Sequence, residues 1–169
     1  MDLQTLERLQ PALLDRLQDD DPSNQKPEPK EKRSLSKAQF RDAVLRDLGF
    51  LLNAARPPAS DGLADYPEVE RSVLNYGMPS FAGETASSLD SADLERAVRE
   101  ALMQFEPRIV PGSLRVLASQ EGNQMDWHNV ISLRIEASVW AQPVPLDLLL
   151  RTDVDLETGQ IEVKELGGY

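Results

Sequence analysis

The sequence predicts an α+β domain in which two to four helices pack on a small antiparallel sheet that ends in a C-terminal hairpin. Three observations predict it. Apolar residues recur at helical spacing through 36–55 and again through 90–105. From residue 113 onward the period changes to two. Near the end, Glu157-Thr158-Gly159-Gln160 separates two alternating runs and puts glycine where a tight turn needs positive φ.

The chain starts with DLQTLERLQPALLDRL, where Leu3, Leu6, Leu13, Leu14 and Leu17 fit a helical stripe broken at Pro11. Proline suits the first turn of a helix, so a short helix should begin near Pro11. Too short to persist alone in water, it must dock on its own domain or on a partner. DDDPSNQKPEPKEKRS follows, with three prolines, no aliphatic residue and charges of both signs. Such a stretch cannot bury a core and reads as a linker. The organisation expected is therefore a docking helix over 1–18, a linker over 19–35 and one domain over 36–169.

Ser36 and Gln39 have the spacing of a capping box. Behind them Phe40, Val44, Leu45, Leu48, Leu51, Leu52 and Ala55 form one apolar helical face, ended by Pro57 and Pro58. A turn-rich loop leads into RSVLNYGMPSFAG, a short helix or extended piece entering an irregular loop anchored by Phe81. A second long helix starts near Asp90, with Leu94, Val98, Ala101, Leu102 and Phe105 inward. Pro107 should stop it, because a residue before proline leaves helical geometry. Strands follow at 113–119, at 129–140, at 146–156 and at 161–166. Ile131, Leu133, Ile135, Ala137 and Val139 alternate with polar residues, as in a half-buried strand.

The composition excludes several functions. With no cysteine and one histidine, the chain has no disulfide framework, no thiolate zinc site and no multi-histidine metal centre. A formal charge of −11 disfavours nucleic acid and anionic membrane surfaces. No apolar run is long enough to span a bilayer, and the start lacks a signal core, so a cytoplasmic protein is expected. Asp19–Asp21 reads as a solvated charge run rather than a metal site. His128, beside Trp127 in a polar loop, has no placed partner for acid–base work. Acids abound, but no pair stands out across a cleft, and phosphate-loop and nucleophile-elbow motifs are absent. No cofactor, metal or catalytic residue is assigned, and the expectation is that the chain is not an enzyme. By physics alone, Glu106-Pro107-Arg108 is a helix terminator flanked by an acid and a base.

The string AVREALMQFEPRIVPGSLRV resembles the Glu-Pro-Arg segment of the phage baseplate-wedge family that carries the label “25-like lysozyme”. ALLDRLQDDDP, RDAVLRDLGFLLNAAR, RSVLNYGMPSFAG and LRTDVDLETGQIEV resemble successive blocks of the family's type VI secretion members. The resemblance implies a structural baseplate protein that joins the wedge to the first ring of a contractile sheath. Its implied partners are the baseplate subunits TssF, TssG and TssK and the sheath proteins TssB and TssC. Glu106, Pro107 and Arg108 carry over as partner-binding residues. Asn75, Tyr76 and Gly77 carry over as structural positions. Ile161 and Val163 belong to a last strand that nothing in the sequence remains to cover, and that strand is expected to accept a sheath strand by its edge. Replacing Glu106 or Arg108 by alanine is expected to stop assembly and leave the fold nearly as stable. Two other readings stand beside this one: a peptidoglycan hydrolase, and a free-standing adaptor.

Overall fold

A computed structural model describes residues 9, 11–17, 35–58, 65–81, 83, 89–118, 130–141 and 144–167. Helix α1 (Leu13–Leu17) comes first, followed by α2 (Lys37–Asn53), α3 (Pro67–Glu70) and a 3-10 turn at Val73–Asn75. Helix α4 (Ser91–Phe105) precedes the strands β1 (Arg115–Ala118), β2 (Val130–Val139), β3 (Leu146–Asp155) and β4 (Ile161–Glu165). The strands form one antiparallel sheet in the order β1-β2-β3-β4. This is the α+β fold expected from the change of period. The linker at 19–34, the acidic run, Trp127 and His128 lie outside the described residues.

Both long helices start as their sequences dictate. Ser36 Oγ accepts from the Gln39 N–H at 3.2 Å, and Gln39 Oε1 accepts from the Ser36 N–H at 2.9 Å. These bonds satisfy orphan donors of the first turn of α2. Asp90 caps α4 by accepting from the Ala92 N–H at 2.9 Å. Helix α2 packs on β4, α4 packs on β1, and the two helices pack on each other. The core lies between this helical layer and one sheet face, with Val44, Leu94, Leu102, Leu133 and Leu156 fully buried. Helix α2 ends at Asn53, before the two prolines, so Ala55 leaves the expected helical face and instead bridges Met78.

Strand register decides which groups face where. Partners across β2, β3 and β4 put Ile135, Leu150 and Glu165 on the inner face and Arg134, Arg151 and Lys164 on the outer. The outer face is polar, with Arg134–Glu136, Arg151–Asp153 and Lys164–Glu162 ion pairs running along the strands. Thr152 shares the inner face. It is fully buried, and its hydroxyl has no partner. The turn after β3 holds Gly159 at φ 73°, as the tight turn requires.

Of the N-terminal stripe, Leu3 and Leu6 lie outside the described residues. Leu13, Leu14 and Leu17 are 70%, 50% and 74% exposed. The anchor is instead Leu9, 4% exposed, whose carbonyl accepts from the Leu35 N–H at 2.8 Å. Leu13 and Leu17 turn outward, where they are available to a partner, the second of the two docking options. Leu35, placed in the linker by composition, packs against the core and belongs with the domain.

Candidate functional site

Helix α4 stops at Phe105, and Pro107 fixes the exit. Glu106 leaves helical geometry at φ −113°, ψ 84°, while its N–H still donates to the Leu102 carbonyl at 3.0 Å. This exit folds the tripeptide onto itself. Glu106 Oε1 accepts from the Arg108 N–H at 3.0 Å and from Nε at 2.7 Å. Oε2 accepts from Arg108 Nη2 at 2.6 Å. Such fork-to-carboxylate pairing is among the stronger hydrogen-bonded geometries. Glu106 itself is 5% exposed.

The pair is not closed within the tripeptide. Arg108 Nη2 also donates to Asp47 Oδ2 on α2 at 2.8 Å. Asp47 Oδ1 accepts from Arg46 at 2.7 Å, and Arg46 Nη1 reaches Asp15 of α1 at 2.6 Å. One chain of alternating charges thus joins the α4 exit, α2 and the N-terminal segment. Burial works against the charge of Arg108, but the Glu106 and Asp47 carboxylates outweigh it and raise its pKa. Hydrogen bonds from Arg46 to Asp15, then to Asp47, raise the Arg46 pKa as well.

A groove of about 680 Å³ lies beside this network. Phe40, Phe50, Tyr76, Phe105, Pro107 and Trp140 are among the residues of its wall. Arg108, Glu106 and Asp47 also line it, as do Leu9, Ala12 and Leu14. The ring of Tyr76 meets that of Phe105 edge-on at 5.2 Å and 68°. Burial, and then the Asp47 and Glu106 charges, push the Tyr76 hydroxyl pKa up.

Asn75, Tyr76 and Gly77 hold the loop that builds this wall. Asn75, 7% exposed, donates through Nδ2 to the Glu70 carbonyl at 2.9 Å. Gly77 sits at φ 116°, where a Cβ would stand 2.2 Å from the Ala54 carbonyl oxygen. Only glycine passes there. Met78 then donates to that same oxygen at 2.7 Å, tying the loop to the end of α2.

The second expected site is the last strand. Ladder bonds join Asp155 to Gln160 and Leu166 to Leu149, so even-numbered residues of β4 face β3. Ile161, Val163 and Glu165 therefore turn their backbone groups outward. Asn53 takes the first of these: its Oδ1 accepts from the Ile161 N–H at 2.9 Å, and its Nδ2 donates to the Ile161 carbonyl at 2.8 Å. At the opposite edge of the sheet, Arg99 donates to the Val116 carbonyl at 3.2 Å, and Glu95 accepts from the Ala118 N–H at 2.6 Å.

Two expected contact residues change character on this geometry. Glu106 is buried under Arg108 and holds the arginine in place. Ile161 is 6% exposed with both backbone groups taken by Asn53, so the open edge begins at Val163. Pro107 is exposed and Arg108 half-buried, which leaves those two facing the groove. Sequence reasoning missed Asp47, Arg46, Asp15 and Asn53. The pairings Arg46–Asp15, Asp47–Arg108 and Asn53–Ile161 carry no local signal, because the partners lie far apart in the chain. Among the described residues, no group of His, Asp and Glu is placed to hold a metal ion, and no helix is long and apolar enough to cross a membrane.

The profile of a family described as “Baseplate wedge protein gp25” matches residues 38–144. That stretch runs from the first turn of α2 through β2 and includes both the tripeptide and the Asn-Tyr-Gly loop. No curated protein and no solved structure matches the chain.

Proposed function

The chain belongs to the baseplate wedge protein gp25 family, a component of phage-tail-like baseplates, and from that premise we propose that it is the baseplate subunit of a type VI secretion system, in the place held by TssE. In this reading it joins the wedge to the first ring of the contractile sheath on the cytoplasmic side of the inner membrane. TssF, TssG and TssK meet it on the wedge side, and TssB with TssC on the sheath side. The type VI assignment draws on the leucine-rich start and the closing hairpin, which lie outside the matched stretch.

The observation that carries the sheath linkage is the β4 edge. Val163 and Glu165 each turn an N–H and a C=O away from β3, and unpaired ladder groups are a template for strand addition. Glu162 and Lys164 pair with each other at 2.7 Å on the outer face, so charge sits beside the edge without covering it. The protein is read as structural, not hydrolytic. Both carboxylates of the groove are engaged by arginines, which leaves neither as a free acid.

Three measurements test this. Val163→Pro removes an outward donor and no ladder bond, so the variant should fold and fail to seed sheaths at tagged baseplates. Sheaths of normal number and length on Val163→Pro would overturn the edge reading. Tagged, unaltered protein should retain TssF, TssG and TssK, and release no labelled fragments from purified cell wall. Release of fragments that a single carboxylate substitution abolishes would return the hydrolase reading.

A further inference from the structure

We propose that residues 11–17 are a removable plug, and that the groove they help to line receives in their place an amphipathic partner helix bearing a leucine and a carboxylate that replaces Asp15 on Arg46. The present occupant defines the chemistry of the site. Ala12 and Leu14 face the apolar wall built by Phe50, Tyr76, Phe105 and Trp140, and Asp15 meets Arg46 at 2.6 Å. A partner helix that repeats this pairing of leucine with a neighbouring acid satisfies both halves of the groove.

The plug is held lightly and lines the groove without filling it. No residue of α1 is buried, and a helix of five residues has little stability of its own. Phe50 remains 58% exposed and Trp140 61% exposed with the plug in place. Apolar groups left open around an incomplete filling mark a contact surface. The single ion pair to Arg46 is partly solvated, with side chains 35% and 15% exposed, a setting in which such pairs contribute little. Leu9 is different: buried and bonded to Leu35, it tethers the segment when α1 lifts.

Arg46 gives the exchange its specificity. It binds Asp15 on one side and Asp47 on the other, and Asp47 in turn holds Arg108. An incoming carboxylate on Arg46 keeps this chain of charges complete, so the Arg108 fork stays in position while α1 is displaced. An uncharged helix would leave Arg46 with Asp47 alone. The proposal rests on the baseplate reading, which supplies a partner for the groove.

The test uses full-length protein and a labelled peptide of residues 9–18 as the probe, followed by fluorescence polarisation. In the unaltered chain the plug competes with the peptide and lowers its apparent affinity. Asp15→Arg and Leu14→Ser each open the plug by a different route. Both variants should bind the peptide at least about tenfold more tightly than the unaltered chain does. A peptide carrying its own Asp15→Arg change should lose that gain. Equal affinity for opened and unaltered chains overturns the proposal, as does absence of binding to either opened variant. Loss of the circular-dichroism signal in both variants overturns it too, because a removable plug cannot carry the fold. No secretion component enters the assay, so failure of the baseplate reading shows separately, in the retention of TssF, TssG and TssK.

Discussion

The two edges of the sheet are treated in opposite ways. On the β1 side, α4 lays Arg99 and Glu95 over the outward backbone groups of Val116 and Ala118. The same side continues past β1, where Arg108 accepts from the Trp140 N–H at 2.7 Å and Val110 donates to Ser138 at 2.8 Å. On the β4 side, α2 contributes one asparagine, and its amide closes Ile161 alone. Both helices pack on the sheet, so packing does not explain the difference. Side-chain chemistry at the helix margin does. Charged residues of α4 reach over the strand they cover, whereas α2 sends Arg41 to the side chain of Glu165, at 3.6 Å, and leaves its backbone free. Edge protection is thus a property of a few long side chains, separable from the core beneath them.

Breaking the closed side at its base should have the largest effect. Glu106→Ala leaves Arg108 half-buried with Asp47 as its remaining partner, and the Arg108 N–H loses its acceptor. Removing one member of a buried pair costs about 3 kcal/mol at the lower end of the usual range, which suits an arginine that keeps a second carboxylate. For a chain of this length that lowers the melting temperature by about 6–12 °C. This replaces the expectation from sequence that the variant would keep its stability, and a thermal melt decides between them. A melt within a degree or two of the parent would restore the interface role of Glu106.

Glu95→Ala attacks the same side more gently. It uncovers the Ala118 N–H, at a cost of about 1 kcal/mol for an unsatisfied donor near the surface. It should also convert the closed edge to an open one, seen as concentration-dependent association in sedimentation. A variant that stays monomeric at high concentration would mean that β1 is too short to pair.

Thr152→Val sharpens the comparison from the middle. Its fully buried hydroxyl has no partner, so an isosteric methyl should stabilise the fold by about 1 kcal/mol in chemical denaturation. Both edges should keep their behaviour, which would show that edge chemistry is independent of global stability. A destabilised variant would reveal a partner for that hydroxyl.

The smallest effect concerns the outer face between the edges. Burial opposes the charge of Asp153, but hydrogen bonds from Ser132 and Arg151 prevail and hold its carboxyl below the usual carboxylate range. A depressed folded-state pKa contributes stability above the unfolded value, and that contribution disappears as pH falls through the folded one. Asp153→Asn should therefore lower stability slightly at neutral pH and flatten its decline in acid. Parallel acid limbs in the two proteins would rule Asp153 out as a contributor.

The fold was legible because its determinants are periodic. The alternation from Ile131 to Val139 places one face inward without knowledge of any partner strand, and the face of α4 follows likewise from Leu94, Val98 and Leu102. Even Ser36 and Gln39 were readable, since a capping box is local. The site was legible only in part. Glu106 and Arg108 adjoin each other in sequence, but Asp47 is 61 residues from Arg108, and Asn53 is 108 residues from Ile161. Nothing in composition or period distinguishes an aspartate that holds a distant arginine from one that is simply solvated. The N-terminal segment was legible only in part for a related reason. The helical spacing of Leu13, Leu14 and Leu17 did not reveal that the buried anchor is Leu9, which pairs with Leu35.

The cover that α4 lays over β1 also bears on valence. A sheet with two open edges can pass strands along in both directions and build a fibre of unlimited length. Here Arg99 and Glu95 take groups of Val116 and Ala118 on one side, and the other side opens at Val163. In the proposed docking, each copy therefore offers one template of fixed polarity and takes one incoming arm.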